Sequence, residues 1–558
     1  MNIKPIAHLA NSIWAGRDGV NSVMEELARY IYPDARGFTG QSGPSDEGRQ
    51  DIWDSTPEEA ANTLASALAG LLTNPSSNWF ALNMVGETRG GGESGKWLTE
   101  VTRIMLSAFA SPESRFYEEV GSFYMDLAVL AWGVLLTEHQ DGSGLRFKAV
   151  SPAQCALAEG SSGRVDTVVR RFPMTVSQIA EEFGPSRMSR NMKEALEKDP
   201  QREFVLCHLV MPRAKIPADC LGGPEVNIES GFANESVPEK FEEGGSMPGA
   251  LAGHVHPFVD IVYAEGEETP LRQGGYFEFP YACPRWGKRA GEVYGRGCGH
   301  AALPDIRVLN RVSLSQLDAA EKASNPPLLV PDDSVIDRRI NTYPGGITYW
   351  RPVGGEIATL PVAANLETMQ LIREERKDAI RRLFLNDRIL LAGGVQMTAT
   401  EILARERRQA LVLGPVLGRL QTEFLGPLIE RVFGVLYRAG HLPDPPESLR
   451  GVELAVRYVS PVARAQKQGE AESFSHALSF VSSLVQMNPA LMDNFDQDAI
   501  VRDTQTIFAY PEKYLKDEAR VARERETREQ ALREAAAVTM EAAPAQAAGV
   551  PSRSVREA

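Results

Sequence analysis

The stretch Leu303–Ser324, LPDIRVLNRVSLSQLDAAEKAS, decides how this chain is read. Ile306, Leu309 and Leu317 recur at helical spacing, and Asn325-Pro326-Pro327 ends the run because proline supplies no amide donor. Residues 326–365 then carry two short β-forming segments, PPLLVPDD and ITYWRP, with turn chemistry at Tyr343–Gly346. Helical spacing resumes over 366–387, LETMQLIREERKDAIRRLFLND, through Met369, Ile372, Ile380 and Leu383. The pattern is a helix, a small β insert and a second helix.

Downstream, residues 388–397 read as a loop. It contains Gly393, Gly394, Val395, Gln396 and Met397, with two glycines for freedom and few charges. Thr398 and Glu401 have cap spacing and open a long helix over 398–439. Gly414-Pro415 and Gly426-Pro427 kink it without ending it, since apolar periodicity returns after each; Gly440 terminates it. Segment 441–514 follows, then a charged helix over 515–540 and a low-complexity tail over 541–558 that reads as disordered.

Upstream, residues 1–130 read as helical. Val20, Met24, Leu27 and Ile31 share one face before Pro33, and Thr56 and Glu59 have capping-box spacing ahead of an alanine-rich helix that stops at Asn74-Pro75. From 134 to 283 the period shortens towards two. VLLTEH and LRFKAV flank a hairpin loop at 140–144, and CALAE and VDTVVRRF flank EGSSG. EFVLCHLVMPR, PFVDIVYAE and YFEFPYAC read as further strands. One helix interrupts at TVSQIAEEFG, capped by Thr175 with Gln178, and 216–253 reads as a surface loop. The predicted class is α+β.

Composition limits function. Hydrophobic residues make up 43% and charged residues 24% of 558, the balance of a protein with a real core. The net charge of −15 excludes a general nucleic-acid coat, so any contact with DNA has to be local. The longest apolar run, Leu127–Leu136, is half of the roughly 20 residues a membrane span needs, so no membrane is predicted as a partner. The opening MNIKPIAHLANSIWAGRD reads as an amphipathic helix rather than a signal peptide, and five cysteines without a CxxC pair fit a reducing cytoplasm as the place of synthesis.

Catalytic chemistry is not legible. Gly90–Trp97, GGGESGKW, approaches a phosphate-binding loop but puts Trp97 where a magnesium-ligating hydroxyl belongs. Gly295-Arg-Gly297-Cys-Gly299 lacks dinucleotide spacing and reads as a turn for close backbone packing. His254, His256, Cys283, Cys298 and His300 match no zinc pattern, and Asp493, Asp496 and Asp498 lack the glycine and distal glutamate of a calcium loop. No catalytic residue, metal or cofactor is predicted. One charge pattern stands out: Arg373, Lys377 and Arg381 at i, i+4 and i+8 lie along one helical stripe. It serves either as a salt-bridged or solvated face or, in a ring, as stacked bands of positive charge.

Four segments carry a family resemblance. They are DIWDSTPEEAANTLASALAGLLTNPSSNWFAL, RWGKRAGEVYGRGCGHAALPDIRVLN, TATEILARERRQALVLGPVLGRLQTEFLGPLIERVFGVLYRAGHLP and the Arg/Glu-rich helix near the C-terminus. Together they resemble the portal, or head-to-tail connecting, proteins of short-tailed double-stranded-DNA bacteriophages. The resemblance implies a non-enzymatic ring subunit, made in the host cytoplasm and placed at one vertex of the virion. It implies a wing over 1–302, stem helices at 303–325 and 366–387, a clip at 326–365, a tunnel loop at 388–397, a wing helix at 398–440, wing and crown at 441–514, and a crown helix at 515–540. Implied partners are copies of the chain in a ring of twelve, the terminase large subunit, major capsid and scaffolding proteins, tail adaptors and double-stranded DNA. Arg373, Lys377, Arg381 and Arg388 are the candidates to face DNA; Asp332, Asp333, Arg338, Arg339 and Arg351 are the candidates for terminase or adaptor contact. The alternatives are another ring-forming virion adaptor and an enzyme of the packaging motor, the second weakened by Trp97.

Overall fold

Ten consecutive buried residues, 123–132, lie at the core of the first unit, because a helix end covered on every side has to sit inside. In a computed structural model of the chain, residues 3–39, 51–84, 92–140, 144–216, 256–267, 269–331, 341, 343–350, 358–359, 366–389, 414–449, 454–458 and 518–541 are described, with single positions at 479, 498 and 501. The chain divides into two units, Met1–Ala463 and Arg464–Ala558.

In the first unit α1 (Lys4–Ala15), α2 (Asp18–Ile31) and α3 (Thr56–Leu72) precede β1 (Phe80–Met84), α4 (Gly92–Ala110) and α5 (Phe116–Leu130). The hairpin β2 (Val134–Gln140) and β3 (Gly144–Val150) is in register from Val134↔Val150 to Gln140↔Gly144, as its loop chemistry predicts. The strands β4 (Cys155–Glu159), β5 (Val165–Thr175), β6 (Glu203–Pro212), β7 (Phe258–Ala264) and β8 (Pro270–Tyr276) form one antiparallel sheet in sequence order. One face of that sheet packs on α1 through Ile3, Ile6 and Ala10. The other packs on α6 (Val176–Phe183) and α7 (Arg190–Lys198) through Val176, Ile179 and Met192. The Thr175–Gln178 capping box forms as expected; α7, capped by the Ser189 side chain, is a helix the sequence reading missed.

Two local expectations are corrected. YFEFPYAC does not run as one strand: β8 ends at Tyr276 and β9 (Tyr281–Ala282) joins β2 in the hairpin's sheet. The break presents Glu278 to two buried arginines, Arg431 and Arg438, at 3.1 and 2.6 Å, a long-range demand invisible to a period of two. At the start of α3 the N-cap position is Ser55, not Thr56, and its side chain makes no cap; Asp54, one residue further out, closes the first turn instead. Asp54 Oδ1 accepts from the Thr56 amide at 3.0 Å and from its hydroxyl at 2.5 Å.

The helix of the opening stretch, α8 (Cys298–Ser324), starts five residues before its predicted first residue and carries Pro304 inside. Glycine explains the early start. A Cβ at Gly295 would lie 2.1 Å from the Ala131 carbonyl oxygen, and one at Gly299 would lie 2.3 Å from that of Val129. The GRGCG run therefore lies flat on the end of α5, the backbone-packing role expected of it.

Between α8 and α9 (Leu366–Leu383) the insert forms a small sheet. The strand β10 (Leu328–Pro331) pairs in parallel with β11 (Ile347–Trp350) and antiparallel with β12 (Ala358–Thr359). After α9, Leu385 adopts a left-handed conformation at φ 62 and separates off the short α10 (Asn386–Ile389). Residues 414–420 are helical, Gln421–Leu425 form a π-helical turn, and α11 (Gly426–Arg438) follows. The Gly426-Pro427 kink is realised as that π-turn, with the Tyr458 hydroxyl donating to the Gln421 carbonyl at 3.0 Å. Gly440, at φ 71, closes the helix. Finally β13 (Leu454–Tyr458) pairs antiparallel with β1.

In the second unit α12 (Glu518–Glu541) is a charged helix, and Arg525 pairs with Asp498. Among the described residues no helix is long and apolar enough to cross a membrane.

Candidate functional site

The paired helices α8 and α9 are built by two kinds of residue. Ile306, Leu309 and Ser313 on α8, with Ile380 on α9 and Phe384 after it, are buried and anchor the pair at one end. Polar contacts then set the register: Arg376 donates to Asp305 at 2.7 Å and Arg373 to Gln316 at 3.0 Å, so the helices run antiparallel. Towards the insert the pair emerges from the core. Leu317, Leu366, Leu371 and Ile372 are exposed there, Leu371 at 71%.

The cationic stripe is not a uniform surface. Lys377 Nζ lies 3.1 Å from Asp54 Oδ2, and Arg373 Nε lies 3.8 Å from the same oxygen. Burial works to raise the Asp54 carboxyl, but its hydrogen bonds with Thr56 and the Lys377 ammonium outweigh that and hold it below the usual range. Arg381 is the more open, 43% exposed, with Asp378 at 3.7 Å. The backbone of Arg388 lies in α10, and its side chain falls outside the described residues. Asp332, Asp333, Arg338, Arg339 and Arg351 lie outside them too, as do Gly393, Gly394, Val395, Gln396 and Met397. The same holds for all but the first residue of the predicted surface loop, 216–253, and of the predicted tail, 541–558.

Sequence reasoning missed Asp54 as the partner of this stripe, although its place before a capped helix marks it as an acceptor. It also missed Arg285, which ties the central segment to the kinked helix. Arg285 is fully buried, meets Glu423 in the π-turn through Nε at 3.1 Å and Nη2 at 3.0 Å, and pairs with Glu159 through Nη1. Lys288 adds a second cation at 2.6 Å from Glu159.

Of the glycine-rich motif at 90–97, residues Gly92–Trp97 are described. These residues form the first turns of α4, with the Trp97 indole donating to the Pro443 carbonyl at 2.9 Å and Ser94 bonded to Ser448 at 2.8 Å. Among the described residues no group of three His, Cys, Asp or Glu side chains is placed to hold a metal ion. Cys283 and Cys298 are buried thiols pushed up by burial, and burial likewise pushes His300 down to about 4.

The antiparallel pair α8–α9 brackets a small three-stranded sheet. The chain matches the bacteriophage head to tail connecting protein family over residues 4–224 and 241–515 and belongs to it. It is 31% identical to the probable portal protein of Bordetella phage BPP-1, over 86% of this chain and 83% of that protein. It is 27% identical to the portal protein of Salmonella phage epsilon15, over 98% of this chain and 94% of that one. A solved structure described as the virion of a native gene transfer agent particle aligns at TM-score 0.33 and 10% identity, over 76% of this chain and 85% of that one, too slight a likeness to carry an argument. By family the chain is a phage portal-type connector, a structural component of the virion and not an enzyme.

Proposed function

We propose that the chain assembles into a closed ring, of twelve copies by family resemblance, at one capsid vertex, and that double-stranded DNA enters and leaves through its centre. The observation that carries this is the antiparallel α8–α9 pair emerging from the core with the three-stranded insert at its tip. In this reading the pair is the stem, residues 326–365 the clip, 388–397 the tunnel loop, 1–302 and 398–440 the wing, and the α12 region the crown. The clip, with Asp332, Asp333, Arg338, Arg339 and Arg351, receives the terminase during packaging and tail adaptors afterwards. Capsid and scaffolding proteins meet the wing.

Electrostatics favours a conduit over a clamp. Each phosphate neutralised strengthens DNA binding through counterion release, so a wall gripping many phosphates would stall translocation. A subunit of charge −15 supplies a repulsive background. Asp54 withholds Lys377 and part of Arg373 from that wall, which leaves Arg381 as the main cation of the stripe to centre the duplex.

Negative-stain microscopy of the purified protein tests the ring: axial views with a central hole are expected, and compact monomers across a range of salt concentrations would overturn it. For the DNA contact, Arg381→Gln is expected to lower packaging yield while rings still form. Unchanged packaging would remove the stripe from the channel.

A further inference from the structure

We infer that the joint at Leu385 is a two-state hinge: bent as observed, with α10 turned onto α3, and straight, with α9 and α10 fused into one helix. This goes beyond the ring reading and stands without it.

Leu385 is the outlier that points there. Among the described residues three non-glycines have positive φ, and two of them, Arg115 and Ala131, stand at the ends of α5, where a helix starts and stops. Leu385, at φ 62, lies instead between two helices. A leucine disfavours this conformation because its Cβ crowds the following carbonyl oxygen, so its surroundings have to impose it. Three contacts do so. Ile380 and Phe384 are fully buried and seat the end of α9 in the core. Asn386, 5% exposed, donates its side-chain amide to the Phe384 carbonyl and to the Ala60 carbonyl of α3, each at 3.1 Å. Leu385 itself packs against the core.

The same residues suit a straight helix. The stretch from Leu366 to Ile389 holds no glycine or proline to break it. In a continuous helix residues 384 and 386 point about 200° apart, so Asn386 leaves α3 while Phe384 stays in the core. Asn386 then falls in line with Arg382 and Asp378, one and two turns back and both exposed. In the bent form the Leu385 amide takes the Arg382 carbonyl at 3.0 Å. Straightening hands that carbonyl to the Asn386 amide and the Phe384 carbonyl to the Arg388 amide, which restores regular helical bonding. The bent form therefore keeps the Asn386 side-chain bonds and the packing of Leu385. The straight form gains an unstrained backbone and further helical bonds. Ile380 and Phe384 stay seated in both, so the chain can change direction beyond α9 without unpacking the α8–α9 pair.

Hydrogen exchange on the full-length protein tests the hinge, read by mass spectrometry on peptides covering 383–389. Asn386→Ala removes the tie to α3 and is expected to slow exchange in this segment about tenfold or more, as the fused helix protects its amides. A merely loosened α10 moves the other way, so unchanged or faster exchange overturns the hinge. Adding Leu385→Gly removes the penalty on the left-handed conformation. The double variant N386A/L385G is then expected to exchange as fast as the parent; if it stays as slow as N386A, the shift does not turn on Leu385 and the hinge is overturned. Where far-ultraviolet circular dichroism shows N386A unfolded, Asn386→Gln, whose longer side chain misplaces the amide, is read against the same outcomes.

Discussion

Replacing Arg285 by methionine tests whether the central segment is held by its buried ion cluster. All five guanidinium hydrogens have acceptors: both Glu423 oxygens, Glu159, and the Val293 and Gly163 carbonyls at 3.1 and 3.0 Å. Methionine fills similar volume but removes all five of those donors. Glu159 keeps Lys288 and is spared, whereas Glu423 retains only the Arg285 backbone amide at 3.1 Å. Removing one partner of a buried pair costs about 3–5 kcal/mol. Glu159 and Glu423 are 19% and 15% exposed and admit some water, which favours the lower end, about 3 kcal/mol. For a chain this long the urea dependence exceeds the small-protein range, on the order of 5 kcal/mol per molar, so the unfolding midpoint falls by about 0.6 M. Tryptophan fluorescence is the readout, since Trp132 bridges Arg285 in the backbone ladder and the Trp286 amide donates to Ala131. Adding Glu423→Gln removes the stranded charge, so the double variant should recover part of the loss. A single variant whose midpoint lies within about 0.2 M of the parent would refute the reasoning.

Three further outcomes are expected. Gly295→Ala pushes a methyl into the Ala131 carbonyl at 2.1 Å, a backbone neighbour that cannot step aside, and should cost at least about 1–3 kcal/mol by the same urea assay; an unshifted midpoint would refute the close packing. Asp54→Ala removes the α3 cap together with the Lys377 partner and should cost about 1–2 kcal/mol, while Asp54→Asn, which keeps a capping oxygen, costs less; equal losses would count against the cap. Asp260, buried in the five-stranded sheet, is held down at about 2 because Arg272 and His208 outweigh the burial that works to raise it. Its unfolded carboxyl titrates near pH ~3.9, so its contribution, on the order of 2–3 kcal/mol, is full above that pH and lost as pH falls towards ~2. Asp260→Asn should flatten stability against pH between about 4 and 2; an unchanged slope would show that this carboxylate does not set the acid limb.

Local patterns were legible without coordinates wherever a short-range rule governs. The period of α8 and α9, the Thr175–Gln178 cap, the β2–β3 hairpin and the glycine run at 295–299 each depend on neighbours within a turn or a hairpin, so residue spacing encodes them. The family resemblance likewise rested on contiguous segments, and the family match covers three of the four; it ends at residue 515, where the C-terminal charged helix begins. What spacing could not encode are partnerships between distant parts of the chain. Arg373, Lys377 and Arg381 make an even stripe on a helical wheel, yet Asp54, more than three hundred residues away, neutralises one and shares another. The strand ending at Tyr276 breaks where Glu278 meets Arg431 and Arg438, and Arg285 finds Glu159 and Glu423 from both directions along the chain. A buried charge needs its counter-charge at contact distance, and only the packing of whole elements determines which residue stands there.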